Sequence, residues 1–311
     1  MSSVHEIAVS GFGEGTNELY DRARPSYPPE ALTKIHSIIS ESRKSSDSDS
    51  SVSVKWKIIE PGSGTGIFSR LLMQPPTPSY PTFPLDSLIG VEPSSGMRKA
   101  WTNGLEKLSL SAEYKEGKKL VAVQGGFDDF TNVQQHGIDK YNKNTKKGGA
   151  DAVIIAQAWH WCPDHEKALE EIASYLPPSS PLILIWNLES QSTQWQKSVR
   201  ENYQQHDLGS PQYYKGWWRE MFNTKAYKDL FEEKVEWSTE WGRGITEDGL
   251  IDNLFSKSYL TPAHLSGDKR QKLDSDLRNI IREADHEWIN KDKGIFVFKY
   301  STDIVVLRRK A

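Results

Sequence analysis

Cysteine is almost missing from this sequence. Cys162 is the only one in 311 residues, so neither an intramolecular disulfide nor a cysteine-rich metal site can form, and no metal is expected. A single thiol fits a reducing compartment and is given no catalytic role here. A surplus of positive charge is missing too. The formal net charge is −3, and the tail Arg308-Arg309-Lys310 is too short to build a field for phosphate backbones, which argues against nucleic acid as a partner. No apolar run approaches the roughly 20 residues needed to span a bilayer. Residues 1–15 lack the positive start and apolar stretch of a secretory leader. The expectation is a cytoplasmic protein with no membrane partner, either a monomer or a weak homodimer.

What is present suffices for a full core. With 36% apolar residues, the chain is expected to form one domain over residues 1–311. Eleven Trp, twelve Tyr and ten Phe exceed what such a core requires, leaving aromatic surface for a pocket. Residues 40–53 are a Ser/Asp-rich tract with nothing to bury and are expected to form a mobile loop. Residues 74–84, with five prolines, and the Lys/Gly-rich residues 142–149 read as surface loops. No internal repeat is present.

Between these loops lie short apolar runs at residues 57–60, 87–92, 120–123, 152–156 and 182–186, suited to buried parallel strands. Helical patterns at 67–73, 94–108 and 165–175 separate them, and Pro177-Pro178 stops the last. Such alternation predicts an α/β fold with a parallel sheet. The last third differs, with helical patterns at 191–205, 225–231, 246–255 and 269–290 and strand candidates at 235–241 and 295–307. A terminal antiparallel hairpin, with helices inserted before it to roof a pocket, accounts for this.

Glu60-Pro61-Gly62-Ser63-Gly64-Thr65-Gly66 puts a glycine turn between an apolar strand and a helix, where a nucleotide-like ligand meets backbone amides. Ile67 stands where a dinucleotide fingerprint needs its third small residue, which counts against a nicotinamide-dependent oxidoreductase. Glu60 points the same way: beside a helix start it would repel a pyrophosphate but attract ammonium and sulfonium charges, both carried by S-adenosylmethionine (SAM). Glu92 closes the second strand 26 positions after Gly66, near the spacing at which an acidic side chain meets ribose hydroxyls, or else is a solvated strand-end glutamate.

Four segments resemble the class I SAM-dependent methyltransferases, in particular the branch with the trans-aconitate methyltransferases and related fungal small-molecule enzymes. They are residues 20–28 (Tyr20-Asp21-Arg22-Ala23-Arg24-Pro25-Ser26-Tyr27-Pro28), the turn from Glu60 to Gly66, the stretch Gly90-Val91-Glu92-Pro93-Ser94 on to Met97, and Ala156-Gln157-Ala158-Trp159-His160-Trp161. The second half matches only loosely, through Ser256-Lys257-Ser258-Tyr259 and the terminal strands.

The resemblance implies a Rossmann-like mixed seven-stranded sheet with helices on both faces and a helical cap inserted in the C-terminal half. Residues 1–190 would form the SAM-binding core, and residues 191–311 the cap plus the terminal strands. It further implies that Gly62, Gly64, Thr65 and Gly66 pass under the methionine part of SAM. Glu92 and Pro93 would lie at the ribose, Met97 would pack on the adenine, and Asp128, with Phe127 before it, would face the adenine amino group. Gly125-Gly126-Phe127-Asp128 departs from the family's usual Gly-Ser-Ala-Glu. Tyr20, Arg24 and Tyr27 would close over the methionine carboxylate, and Gln157 and Ala158 would border the cofactor. The segment Arg24-Pro25-Ser26-Tyr27-Pro28 is equally a helix-start signal.

His160 is the candidate catalytic residue. It would act as a base if the acceptor is a hydroxyl or amine, or hydrogen-bond the substrate without moving a proton. Trp161, Tyr214, Trp217 and Trp218 are candidates for the acceptor pocket or, alternatively, for core packing. The expected function is methyl transfer from SAM to a small molecule, with O-methylation of a carboxylate first. O-, N- or S-methylation of another metabolite and a non-catalytic SAM-binding module are the alternatives. A methyltransferase acting on base amino groups is disfavoured, because Ala-Gln-Ala-Trp-His-Trp stands where those families carry a sequence like Asn-Pro-Pro-Tyr.

Overall fold

A computed structural model describes residues 17–44 and 55–311. Helix α1 (Asn17–Ala23) leads through an extended Pro-Ser-Tyr-Pro link into α2 (Pro29–Lys44). Pro29 takes the first helical position of α2, where its missing N–H costs nothing. There follow β1 (Trp56–Pro61), α3 (Ile67–Met73), β2 (Leu85–Val91), α4 (Ser95–Glu106), β3 (Lys119–Val123), β4 (Ala152–Ala156), α5 (His165–Tyr175) and β5 (Pro181–Glu189). The second half adds α6 (Gln194–Gln204), α7 (Lys225–Leu230), β6 (Val235–Ile245), α8 (Glu247–Phe255), α9 (Gly267–Arg282), β7 (Trp288–Asn290) and β8 (Ile295–Arg308).

The strands assemble in the order β3-β2-β1-β4-β5-β8-β6. The neighbours from β3 to β5 pair parallel, and β8 lies antiparallel between β5 and β6. Alternation of side chains explains the continuous apolar runs. Ile58, Ile154 and Ile183 pack with Leu32 and Ile35 of α2, Phe68 of α3 and Trp101 of α4. Their neighbours Ile59, Val153 and Leu184 pack on the opposite face with Leu169 and Ile172 of α5. A strand covered on both faces must be apolar at successive positions, each fully buried Leu or Ile contributing about 1.5–3 kcal/mol. A third cluster joins Val199 of α6, Leu254 of α8 and Leu277 of α9 to Phe296 and Phe298 at the start of β8. The strand β8 is thus shared: its end completes the sheet core and its start carries the cap.

Three expectations are corrected. The sheet has eight strands rather than seven, because Trp288–Asn290 pairs with β8. The helix expected over residues 269–290 ends at Arg282 for the same reason: the chain beyond it is drawn to β8, where the His286 ring stacks on Phe296 at 4.0 Å. Residues 40–44 continue α2 instead of opening a loop, since Ser42 is buried and its hydroxyl donates to the Ser179 carbonyl (2.9 Å). The rest of that polar tract, residues 45–53, lies outside the described residues. No described helix is long and apolar enough to cross a membrane.

Candidate active site

A cavity of about 470 Å³ opens at the carboxyl edge of the sheet, between the turn after β1 and the cap. This is where open α/β sheets place ligands. The turn runs through Gly62, Gly64 and Gly66, whose φ angles are 68°, 54° and 83°, a region costly for other residues. A Cβ on Gly62 would stand 2.5 Å from the Ala158 Cβ, and one on Gly66 would stand 2.5 Å from Trp101 Cδ1. The turn is therefore wedged between the end of β4 and helix α4. Gly64 instead faces free space, with Met97 Sδ 3.8 Å from where its Cβ would lie.

Two buried carboxyls flank the turn. Glu60, 1% exposed, accepts a hydrogen bond from Ser69, which accepts one from Trp101 Nε1 (2.8 Å). Burial raises the Glu60 carboxyl to about pH 8, against the Ser69 bond and the Arg70 charge, with Glu92 adding to the rise. Glu92 accepts from the backbone N–H of Gly64 at Oε2 (3.0 Å) and of Ser94 at Oε1 (2.9 Å). Burial raises its pKa as well, opposed by those two amides and by Arg98. Among the described residues neither carboxylate makes an ion pair, so this side of the cavity favours a cation or a hydroxyl donor.

The opposite wall begins where β4 ends. Gln157 holds a left-handed φ of 58°, fixed by its N–H on the Ile185 carbonyl (2.7 Å) and by a paired carboxamide bridge to the Asn187 backbone (3.0 and 2.7 Å). Strain of this kind costs on the order of 1–3 kcal/mol and persists only where neighbours over-determine it. It turns the chain so that His160, 8% exposed, lines the cavity. Its Nδ1 accepts from the Trp186 indole (3.2 Å). Because an indole N–H can only donate, the neutral ring must carry its proton on Nε2. Burial, followed by the Arg24 charge, drives the imidazole down to about pH 3. At physiological pH His160 is a neutral hydrogen-bond donor.

The cap closes the far end. Glu189, at the end of β5, accepts from Lys257 Nζ at Oε1 (2.6 Å) and from the Tyr203 hydroxyl at Oε2 (2.6 Å). Burial alone would raise this carboxyl, but the Lys257 and Arg200 charges outweigh it and hold the group at about pH 2. Helix α1 bridges the two sides. Asp21 accepts from Thr65 Oγ1 (2.9 Å) in the glycine turn, and the Ala23 carbonyl accepts from Asn253 Nδ2 (2.9 Å) on α8. The Arg24 guanidinium lies 4.9 Å from the Tyr20 ring centroid and donates to the Ser256 carbonyl (3.4 Å).

The sequence profile of the methyltransferase domain family matches residues 20–234, from α1 through the parallel strands β1 to β5 to the loop before β6. The chain belongs to the methyltransferase domain family. Uncharacterized methyltransferases of Mycobacterium bovis and Mycobacterium tuberculosis are each 25% identical to it over 240 residues, covering 77% of this chain and 74% of theirs. Among solved structures, a protein assigned as a type II methyltransferase from Anaeromyxobacter dehalogenans superposes with a TM-score of 0.51 at 15% identity, covering 92% of this chain and 97% of that one. That likeness is one of fold, the mixed Rossmann-like sheet described above.

Most of the positions singled out in the sequence of this methyltransferase meet at its cavity. Tyr20, Arg24, Tyr27, Glu60, Gly62, Gly64 and Thr65 line one side, and Glu92, Pro93, Met97 and Phe127 the next. Gln157, Ala158, His160, Trp161 and Tyr214 line the remainder. Gly66 lies behind the turn against Trp101, and Asp128 is not among the lining residues. Neither Trp217 nor Trp218 reaches the cavity. Trp217 is 54% exposed, and Trp218, 2% exposed, stacks on Tyr213 and packs against Trp186. The core-packing alternative therefore describes Trp218. Tyr203, which opens the aromatic stretch of residues 203–218 that also holds Tyr214, lines the cavity too, as do Glu189, Arg200, Lys257 and Tyr259, to which no sequence motif points. They come from distant segments; the signals were the aromatic stretch from Tyr203 and the loosely matching stretch around Lys257.

Proposed function

We propose that this methyltransferase binds SAM along the glycine turn and transfers its methyl group to a carboxylate of a small acid. The observation that carries this reading is the polarity of one cavity, with two buried carboxyls at the turn that make no ion pair among the described residues and a neutral donor with cations opposite. The residues fit the cofactor. Glu60 is a buried acid with no ion pair among the described residues, suited to the methionine ammonium, and the space before Gly64 admits a chain that a Cβ would obstruct. Glu92 with Pro93 beside it would take the ribose, Met97 and Phe127 the adenine, and Arg24 with Tyr20 and Tyr27 the methionine carboxylate. In this reading residues 1–190 supply the cofactor half and residues 191–311 the cap and most of the acceptor half.

When bound, SAM supplies an electrophilic methyl on a sulfonium, and a carboxylate needs no base to attack it. The protein's main task is positioning, which can lower a barrier by up to roughly 7–11 kcal/mol. His160 donates from Nε2 to the acceptor and orients it; Trp161 and Tyr214 border the acceptor. Because its titration lies near pH 3, kcat at saturating SAM and acceptor should show no histidine-like inflection between pH 5.5 and 8. His160→Ala should lower kcat/KM by roughly 10- to 100-fold, a lost neutral hydrogen bond plus a partly emptied site, and His160→Gln should restore part of it. A kcat rising tenfold per pH unit through the neutral range would instead make His160 a base.

The reading is tested by supplying labelled SAM with small acids, phenols, amines and thiols. Label appearing on acids and released by mild alkali is the expected result. Alkali-stable label on any other class would overturn carboxylate methylation.

A further inference from the structure

Asn187 lies near the end of β5, lines the cavity and is 8% exposed. Its main chain holds the Gln157 carboxamide, and its side chain reaches two further segments. Nδ2 donates to the Ser26 carbonyl (3.0 Å), and Oδ1 accepts from the Thr302 hydroxyl (2.6 Å). Thr302, fully buried on β8, accepts in turn from the Trp241 indole on β6 (2.8 Å). The ends of this row fix its direction. An indole N–H only donates and a main-chain carbonyl only accepts, so the Thr302 proton must go to Oδ1 and the amide nitrogen must face Ser26. Every bond therefore runs the same way, from β6 to the link between α1 and α2, an arrangement in which each bond polarises and strengthens the next.

The link needs such a partner. It places Arg24 and Tyr27 at the cavity, but Pro25 and Pro28 carry no N–H, and among the described residues no strand pairs with this stretch. Side chains from elsewhere in the fold hold its carbonyls instead, Asn187 that of Ser26 and the Tyr80 hydroxyl that of Tyr27 (2.8 Å). Asn187 differs from Tyr80 in what else it holds. The same residue pins Gln157, and with it the turn that carries Ala158 and His160 to the opposite wall. We infer that Asn187 is a positioning residue, which registers residues 24–27 on the cofactor side against residues 157–160 on the acceptor side. Methyl transfer is an in-line displacement, so its rate depends steeply on the spacing between donor and acceptor that this register sets. The inference rests on the proposed cofactor site and not on the acceptor group being a carboxylate.

The experiment follows binding of S-adenosylhomocysteine to the full-length enzyme by calorimetry, and turnover with whichever acceptor of the labelled panel wild type methylates fastest. Asn187→Ala removes the bonds to Ser26 and Thr302 and leaves the main-chain bridge to Gln157 in place. It should weaken S-adenosylhomocysteine binding by about 10-fold. At saturating SAM it should lower kcat by about 10- to 100-fold, with the acceptor KM within about threefold. A double-variant cycle separates positioning from general support of the fold. If Asn187 acts on the cofactor through the segment that carries Arg24, adding Asn187→Ala to Arg24→Ala should cost less than about threefold in further affinity. Thr302 is not among the lining residues, yet Thr302→Val should reproduce part of both losses, and Thr302→Ser, which returns the hydroxyl, should recover most of them. Should Asn187→Ala fail to fold, Thr302→Val combined with Arg24→Ala gives the same cycle. Additive losses, or a lowered unfolding midpoint with binding and kcat unchanged, would overturn the inference. No S-adenosylhomocysteine binding by wild type would end the cofactor reading and this inference with it. Non-additive losses with the label on phenols or amines would uphold Asn187 and end only the carboxylate reading.

Discussion

Replacing Glu60 by glutamine should weaken SAM binding by about 100-fold and abolish a proton release that accompanies binding in the wild type. Burial holds this carboxyl protonated up to about pH 8 in the free protein. An ammonium placed against it favours the ionised form, so near pH 7 the group must give up its proton as the ligand enters. Wild-type affinity should accordingly rise nearly tenfold per pH unit from about pH 6 and level off above about pH 8. The free protein should show the opposite trend. A carboxyl whose folded pKa is raised contributes stability that is fully present below the ordinary carboxylate range and lost as pH rises through about 8. Calorimetry in two buffers of different ionisation enthalpy reads the proton directly, and an affinity flat from pH 6 to about 8 would refute the linkage. The glutamine keeps an acceptor for Ser69, so the hydrogen bonds from Trp101 to Ser69 and on to residue 60 should survive the change.

Gly66→Ala should be the most damaging single methyl at the site. Its φ of 83° would cost an alanine roughly 1–2 kcal/mol. The added Cβ would lie 2.5 Å from Trp101 Cδ1 and 2.9 Å from Nε1, in a fully packed core, for a further ~1–3 kcal/mol. The displaced indole is also the donor to Ser69, and through Ser69 it connects to Glu60, so the substitution should reduce both stability and SAM binding. Gly117→Ala is the control: its φ is 71° but nothing lies within 4 Å of the new Cβ, leaving only the backbone cost. Denaturant titration should place the Gly66 variant roughly 2–5 kcal/mol below wild type and the Gly117 variant about 1–2 kcal/mol below. Equal losses would mean that the Trp101 contact is relieved by a small shift and that only φ matters.

The strands of the parallel sheet and the helix over residues 165–175 were legible because each depends on a local pattern. A strand covered on both faces needs apolar side chains on both parities, and Pro177 ends the helix where the chain must turn. Strand β7 was not legible. Three residues with mostly exposed side chains have no periodicity to read, and only the edge of β8 makes them a strand. The aromatic cluster near residue 217 misled in a similar way: aromaticity marks both pockets and cores, and the fold sent Trp218 to the core and Trp217 to the surface.

By itself the sequence determined the glycine turn, the carboxylates beside it and the strands that present them, because each is written in a contiguous pattern of residue types. Only the tertiary structure decided the state of His160, since the proton on Nε2 follows from an indole on a different strand, 26 positions away. It also decided the charges at the cap end of the cavity. Glu189 and Lys257 lie 68 positions apart and meet only because β5 ends under the cap, and no local pattern records that the buried Arg200 joins them through the Glu189 carbonyl. Backbone geometry is written in short-range chemistry, whereas the electrostatics of a buried site depend on which distant groups burial brings together and which it leaves unpaired.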